Sequence, residues 1–152
     1  MEIDAQIQLL IDNAPQDGET PQLLVMSIAP VLRAIAQKLR YSEYYILQSF
    51  SGNWVLTTLS HKTNPQIEKQ VIYAFPRLQD VSLSSPAGLN PQMVAHPIPV
   101  THILFQLLAL EPVDSIVFWE TPSTTSNAIE ISRQQLQSLI QQQISQVPPH
   151  IA

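Results

Sequence analysis

The sequence predicts an α+β fold: an antiparallel sheet of about five strands with helices packed on it, in the order α-βββ-α-ββ-α, behind a short N-terminal helix or arm. Three observations carry this. Three β-rich runs lie close together in the first half of the chain. A nearly all-apolar helical run, "THILFQLLAL", follows a proline-rich stretch. Two more strand-like runs then lead to a capped amphipathic helix. Strands grouped between helices and joined by hairpin-like links favour antiparallel pairing.

The elements follow in chain order. Ile3, Ile7, Leu10 and Ile11 have helical spacing, and "NAPQDG" ends the pattern. Thr20 and Pro21 make an N-cap and first-turn pair ahead of Leu24, Ile28, Val31, Leu32, Ile35 and Leu39, which share one helical face. Pro30 interrupts that face, so it either kinks the helix or sits in the first turn of a second helix beginning near Ser27. "YYILQSF" and "WVLTTLS" flank a glycine-containing connection as a hairpin, and "QVIYAF" supplies a third strand. "RLQDVSLSS", residues 77–85, extends that strand or forms a short edge strand. Residues 86–99 hold four prolines and read as a stiff loop. "THILFQLLAL" is a helix buried on more than one side, with Thr101 as its cap; "DSIVFWE" is an inner strand and "AIEI" a short last one. Ser132 and Gln135 have capping-box spacing at the start of the final helix, whose apolar stripe is Leu136, Leu139, Ile140 and Ile144.

A chain of 152 residues forms one domain, with residues 1–18 as an acidic helix or arm and 20–147 as the α+β core. There are no cysteines, which excludes disulfides, thiolate metal sites and cysteine nucleophiles. No stretch approaches the ~20 apolar residues of a spanning helix, and the expected location is cytoplasmic. Charged residues make up only 12% of the chain, and 18 Gln, 14 Ser, 8 Thr and 5 Asn take their place on the surface. Such a surface resists self-association less than a charged one. The net charge of −5 comes from Glu2, Asp4, Asp12, Asp17 and Glu19, and Arg33, Lys38 and Arg40 are the densest cations. A nucleic-acid footprint is therefore not expected, nor is a membrane partner.

Three scattered glycines exclude a dinucleotide fingerprint and a P-loop, and no G-x-S-x-G, H-E-x-x-H or EF-hand pattern occurs. No catalytic residue, metal ligand set or cofactor is expected. The strongest candidates for a pocket are His96 and His102 in "AHPIPVTH", where a third ligand from His61, Glu111 or Asp114 could converge. Their plainer reading is a rigid loop entering a buried helix. Glu111 and Asp114 flank Pro112 as turn residues, with paired acid–base carboxylates as the alternative. Trp54, Trp119, Tyr44, Tyr45, Tyr73 and Phe118 fall on strands as core or cross-strand aromatics. Gln134, Gln137 and Gln141 of the final helix form either a solvated face or a partner face, since amides can pair without desolvating a charge.

The element order over residues 21–146, in a small acidic chain without catalytic motifs, resembles the type III secretion chaperone-like fold, which includes the YbjN-like proteins. The Gln-rich, charge-poor composition is also similar to that of small cyanobacterial proteins of unknown function. The chaperone resemblance implies a homodimer that holds an extended segment of a client protein without an enzymatic step. Most acidic charge lies in the first 20 residues and not across the body, so no binding residue carries over. The expected function is a non-enzymatic interaction or regulatory protein. The alternatives are a small-molecule-binding domain or enzyme with a pocket near loop 86–100, or an acidic arm that folds on a basic partner.

Overall fold

The computed structural model describes residues 2–13, 27–49, 52–60, 63, 68–83, 93–120 and 127–146. Its helices are α1 (Ile3–Asp12), α2 (Ala29–Lys38), α3 (Val100–Ala109) and α4 (Arg133–Gln146). Its strands are β1 (Glu43–Ser49), β2 (Thr57–Ser60), β3 (Glu68–Phe75), β4 (Met93–Pro99), β5 (Ser115–Trp119) and β6 (Ala128–Ser132), with a 3-10 helix at Leu78–Leu83. The α+β class holds. The strands form one six-stranded sheet ordered β4-β1-β3-β5-β6, with β2 also paired to β3. No described helix is long and apolar enough to cross a membrane.

Two features of the sheet differ from expectation and share one cause. Residues 93–99 are not a loop but strand β4, fully paired with β1 from Glu43↔Pro99 to Ser49↔Met93. Proline is tolerated on an edge strand where its nitrogen points away from the ladder, and β4 is the outer strand. The sheet is also mixed: four of its pairings are antiparallel, but β3 and β5 run parallel from Val71↔Ser115 to Ala74↔Phe118. With β4 present, β4-α3-β5 becomes a helix crossover between two strands of the same direction. A helical crossover is the usual way to connect parallel strands.

All four described α-helices lie on one face. Tyr44, Ile46, Ile72, Ala74, Ile116, Phe118 and Ile131 alternate onto it and are buried with Leu32 and Ile35 of α2, Val100, Ile103, Leu104 and Leu107 of α3, and Leu136 and Ile140 of α4. Pro30 lies in the first turn of α2, the second of the two options above. Residues 14–26, with the Thr20–Pro21 pair, lie outside the described residues. Ser132 Oγ accepts from the Gln135 amide at 3.0 Å, as the capping spacing predicts. The expected hairpin is only a short turn closed by the Gln48↔Trp54 bridge, since β2 pairs with β3 and not β1; the turn carries Gly52 at φ +89°, a left-handed conformation that favours glycine.

Residues 77–83 are neither an extension of β3 nor an edge strand. Arg77 Nε and Nη2 make paired bonds to Asp80 (3.1 and 2.9 Å), and the Asp80 amide donates to the Arg77 carbonyl. That closes a tight turn which the alternating pattern alone does not show. The N-terminal segment is a formed helix: Gln6 and Ile7 of α1 are buried, and Asp4 pairs with Arg33 at 2.8 Å.

α3 is capped across the fold rather than by its own sequence. Thr101 is not its N-cap; the helix begins at Val100, with Pro99 in the cap position and no side-chain cap. Gln6 Oε1 instead accepts from the Thr101 amide (3.0 Å) and hydroxyl (2.8 Å), while Gln6 Nε2 donates to the Ser42 carbonyl (2.8 Å). The Ser42 carbonyl also takes the Val100 amide at 2.9 Å. Two of the orphan donors at the helix start are thereby satisfied inside the protein.

Candidate functional site

Strand alternation divides the sheet into two chemically different faces. The face away from the helices carries Tyr45 and Leu47 of β1, Tyr73 and Phe75 of β3, and Val117 and Trp119 of β5, in register through Tyr45↔Phe75 and Tyr73↔Val117. Phe75 is buried, whereas Tyr45, Leu47, Tyr73, Val117 and Trp119 are half-buried. Tyr73 and Trp119 stack with ring centroids 5.8 Å apart and planes at 23°. Trp119 Nε1 is covered and has no hydrogen-bond partner among the described residues, so stacking rather than a polar bond holds the indole. The 3-10 helix touches β1 and β3.

The same face ends in a polar cluster. Glu130 of β6 bonds Lys69 of β3, and Ser115 Oγ donates to Glu130 Oε2 at 2.6 Å. The Lys69 and Ser115 bonds hold the Glu130 carboxyl below the usual carboxylate range. A depressed folded-state pKa adds stability above the unfolded carboxylate pKa, and that stability is lost as pH falls through the folded value. The difference between wild type and Glu130→Gln in urea unfolding is therefore expected at pH 7, at no more than about 1 kcal/mol for so exposed a pair. It should vanish in strong acid; a difference that persists there would rule out the ionic origin.

A cleft of about 420 Å³ opens at this end of the molecule, lined by Glu68, Lys69, Glu111, Val113, Asp114, Ser132, Arg133, Gln134 and Gln137. It brings together Glu111, Asp114, Gln134 and Gln137, which the sequence nominated separately. Three of its charged groups, Lys69, Asp114 and Arg133, are bound to the protein itself. Asp114 Oδ2 accepts the Gln70 amide (2.8 Å), and Arg133 Nε and Nη2 donate to the Leu108 carbonyl (3.3 and 3.1 Å). Gln141 is exposed and does not line this cleft. A second groove of about 220 Å³ lies between α2 and α4, with Val31, Ala34, Ile35 and Leu139 in its wall.

His96 and His102 have different surroundings. His96 is exposed on β4 opposite Ile46. His102 Nε2 lies 3.1 Å from the Gln6 carbonyl, and because a carbonyl only accepts, that nitrogen carries the proton. Neither histidine lines either cleft. His61 lies outside the described residues. Among the described residues no three His, Asp or Glu side chains gather as a metal set.

One buried polar link was not nominated from sequence. The Tyr44 hydroxyl donates to Glu120 at the end of β5, and Glu120 Oε1 accepts the Arg40 amide at 2.9 Å just past α2. Burial first, then the carboxylate bond, pushes the Tyr44 phenol above its ordinary range. The link ties α2, β1 and β5 together; the only sequence signal was a tyrosine at a core-facing strand position.

Comparison with known proteins finds no family whose pattern matches this chain and no curated protein similar to it in sequence.

Proposed function

We propose that this is a non-enzymatic, chaperone-like interaction protein that holds an extended apolar segment of another protein against the sheet face opposite its described α-helices. The observation that carries this reading is the row of half-buried Tyr45, Leu47, Tyr73, Val117 and Trp119 on that face. Aromatic side chains supply large contact area at small entropy cost and are enriched where protein interfaces bury most surface. The bonded Lys69–Glu130–Ser115 cluster beside the row sets a polar rim. The cleft supports a ligand or enzyme role less well, because Lys69, Asp114 and Arg133 already have partners within the protein.

The test uses the full chain carrying Trp54→Phe, so that Trp119 is the remaining indole. Adding a reduced, carboxymethylated protein as an extended client should shift Trp119 emission and slow client aggregation at stoichiometric ratios. Tyr73→Ser on the same background should lose both effects while remaining folded by circular dichroism. No emission change and no protection of the client would sink the proposal.

A further inference from the structure

We propose that two copies of this chain pair through the free edge of β6, joining their sheets into one antiparallel sheet. The pairing rests on the protein-interaction reading and names one partner and one surface for it.

The two outer edges of the sheet are chemically unlike. The Val100 amide donates to the Ser42 carbonyl, so even-numbered residues of β4 turn their backbone groups toward β1, and Met93, Ala95, Pro97 and Pro99 turn theirs outward. Two of these outward positions are prolines, which have no N–H to offer and whose rings obstruct a further strand. On β6 the Asn127 carbonyl accepts from the Glu120 amide (3.0 Å), and the Arg133 amide donates to Asp114 (2.8 Å). Odd-numbered residues there face β5, leaving the N–H and C=O of Ala128 and Glu130 directed outward, while the Ser132 carbonyl is taken up at the start of α4, which Ser132 caps. Among the described residues these outward backbone groups have no partner. The spacing, one donor and one acceptor every second residue, is the template for strand addition. Thr58 and Ser60 of β2 also turn their backbone groups away from β3, but on an exposed strand of only four residues.

A guarded β4 and an open β6 select the occupant. Adding β6 of one copy to β4 of the next would repeat without limit, and Pro97 and Pro99 oppose it. Adding β6 to β6 uses one strand twice about a two-fold axis and stops at two. Charge permits this, because each Glu130 is already held by Lys69 and Ser115 of its own chain. A register with Glu130 of each copy opposite Ala128 of the other pairs the outward groups of both residues and keeps the two carboxylates apart.

The test is sedimentation velocity of the full chain across a wide concentration range, paired with residue-resolved amide exchange. A species of twice the chain mass is expected, with slowed exchange at Ala128 and Glu130. Ala128→Pro removes an outward N–H at the first residue of the strand and no internal ladder bond, and it should weaken the dimer by about tenfold or more. Pro97→Thr with Pro99→Thr should open β4 and allow species larger than two. A monomer at every concentration that still binds the extended client would overturn the dimer and leave the functional reading standing. A dimer whose β6 amides exchange freely would place the interface elsewhere and overturn the proposal. So would protection of β6 only when the client is added, since the occupant is then a peptide.

Discussion

Phe118→Ala is expected to lower the unfolding free energy by about 3–5 kcal/mol, the range for truncating a buried aromatic in a core that cannot collapse around the gap. Phe118 sits on β5, a strand paired on both sides, and it is fully buried. Its ring meets Tyr44 edge-on, with centroids 5.0 Å apart at 72°. Removing it takes away that contact and loosens the wall behind the Tyr44–Glu120 bond. Urea unfolding followed by circular dichroism should show a lower midpoint with an unchanged slope, since the surface exposed on unfolding is nearly the same. Phe118→Leu, which keeps most of the volume, should cost clearly less. A loss under about 1 kcal/mol for the alanine variant would mean that the site is not packed as described.

Gln6→Ala is expected to cost about 2–3 kcal/mol, a large effect for a glutamine on a helix of ten residues. Gln6 is 1% exposed, and its carbonyl oxygen is the acceptor for both donors of Thr101, itself fully buried. Truncation leaves the Thr101 amide orphaned inside the protein, a desolvation cost of about 1–3 kcal/mol, while the hydroxyl can rotate toward another acceptor. The Ser42 carbonyl keeps the Val100 amide and adds little. Gln8→Ala is the matched control: its bond to Asp12 is exposed and lies within one helix, so its loss should stay below about 0.5 kcal/mol. Equal effects for the two variants in thermal or urea unfolding would refute the capping role. A large Gln6 effect would also show that α1 belongs to the folded core and is not an arm awaiting a partner.

These two residues show where sequence reading succeeds and where it stops. Phe118 was legible: it lies in a continuous apolar run, and such runs mark inner strands whatever their neighbours are. Gln6 was not. In a helix with Ile3, Ile7 and Leu10 it reads as a polar surface residue, and its partner Thr101 is 95 positions away. The histidine-flanking loop shows the same division. Pro97 and Pro99 are strand breakers by local rules, and only their place on the outer edge lets residues 93–99 pair with β1. Missing β4 hid the crossover and therefore the parallel β3–β5 pair.

The candidate surface was partly legible for the same reason. Tyr45, Leu47, Tyr73 and Trp119 were recognised as strand aromatics and apolar neighbours, but which sheet face the helices would cover is not a local property. The cleft gathered Glu111 and Asp114 with Gln134 and Gln137 because the α3–β5 turn and the start of α4 meet at one end of the sheet. His96 and His102 were separated by alternation on β4 and by the turn into α3.

Spacing and side-chain type were enough for the α+β class, the core-facing runs that could be read by period, the capped start of α4 and the exclusion of glycine-loop and thiolate chemistry. Those features depend on contacts within a few residues, where spacing and side-chain type suffice. Packing of the whole chain settled strand order and direction, the edge position that makes β4 possible, the cap that Gln6 supplies to α3, and which sheet face the described α-helices cover. Each of those is set by which distant groups satisfy a buried donor or cover an apolar surface, and that choice is made when the whole chain packs.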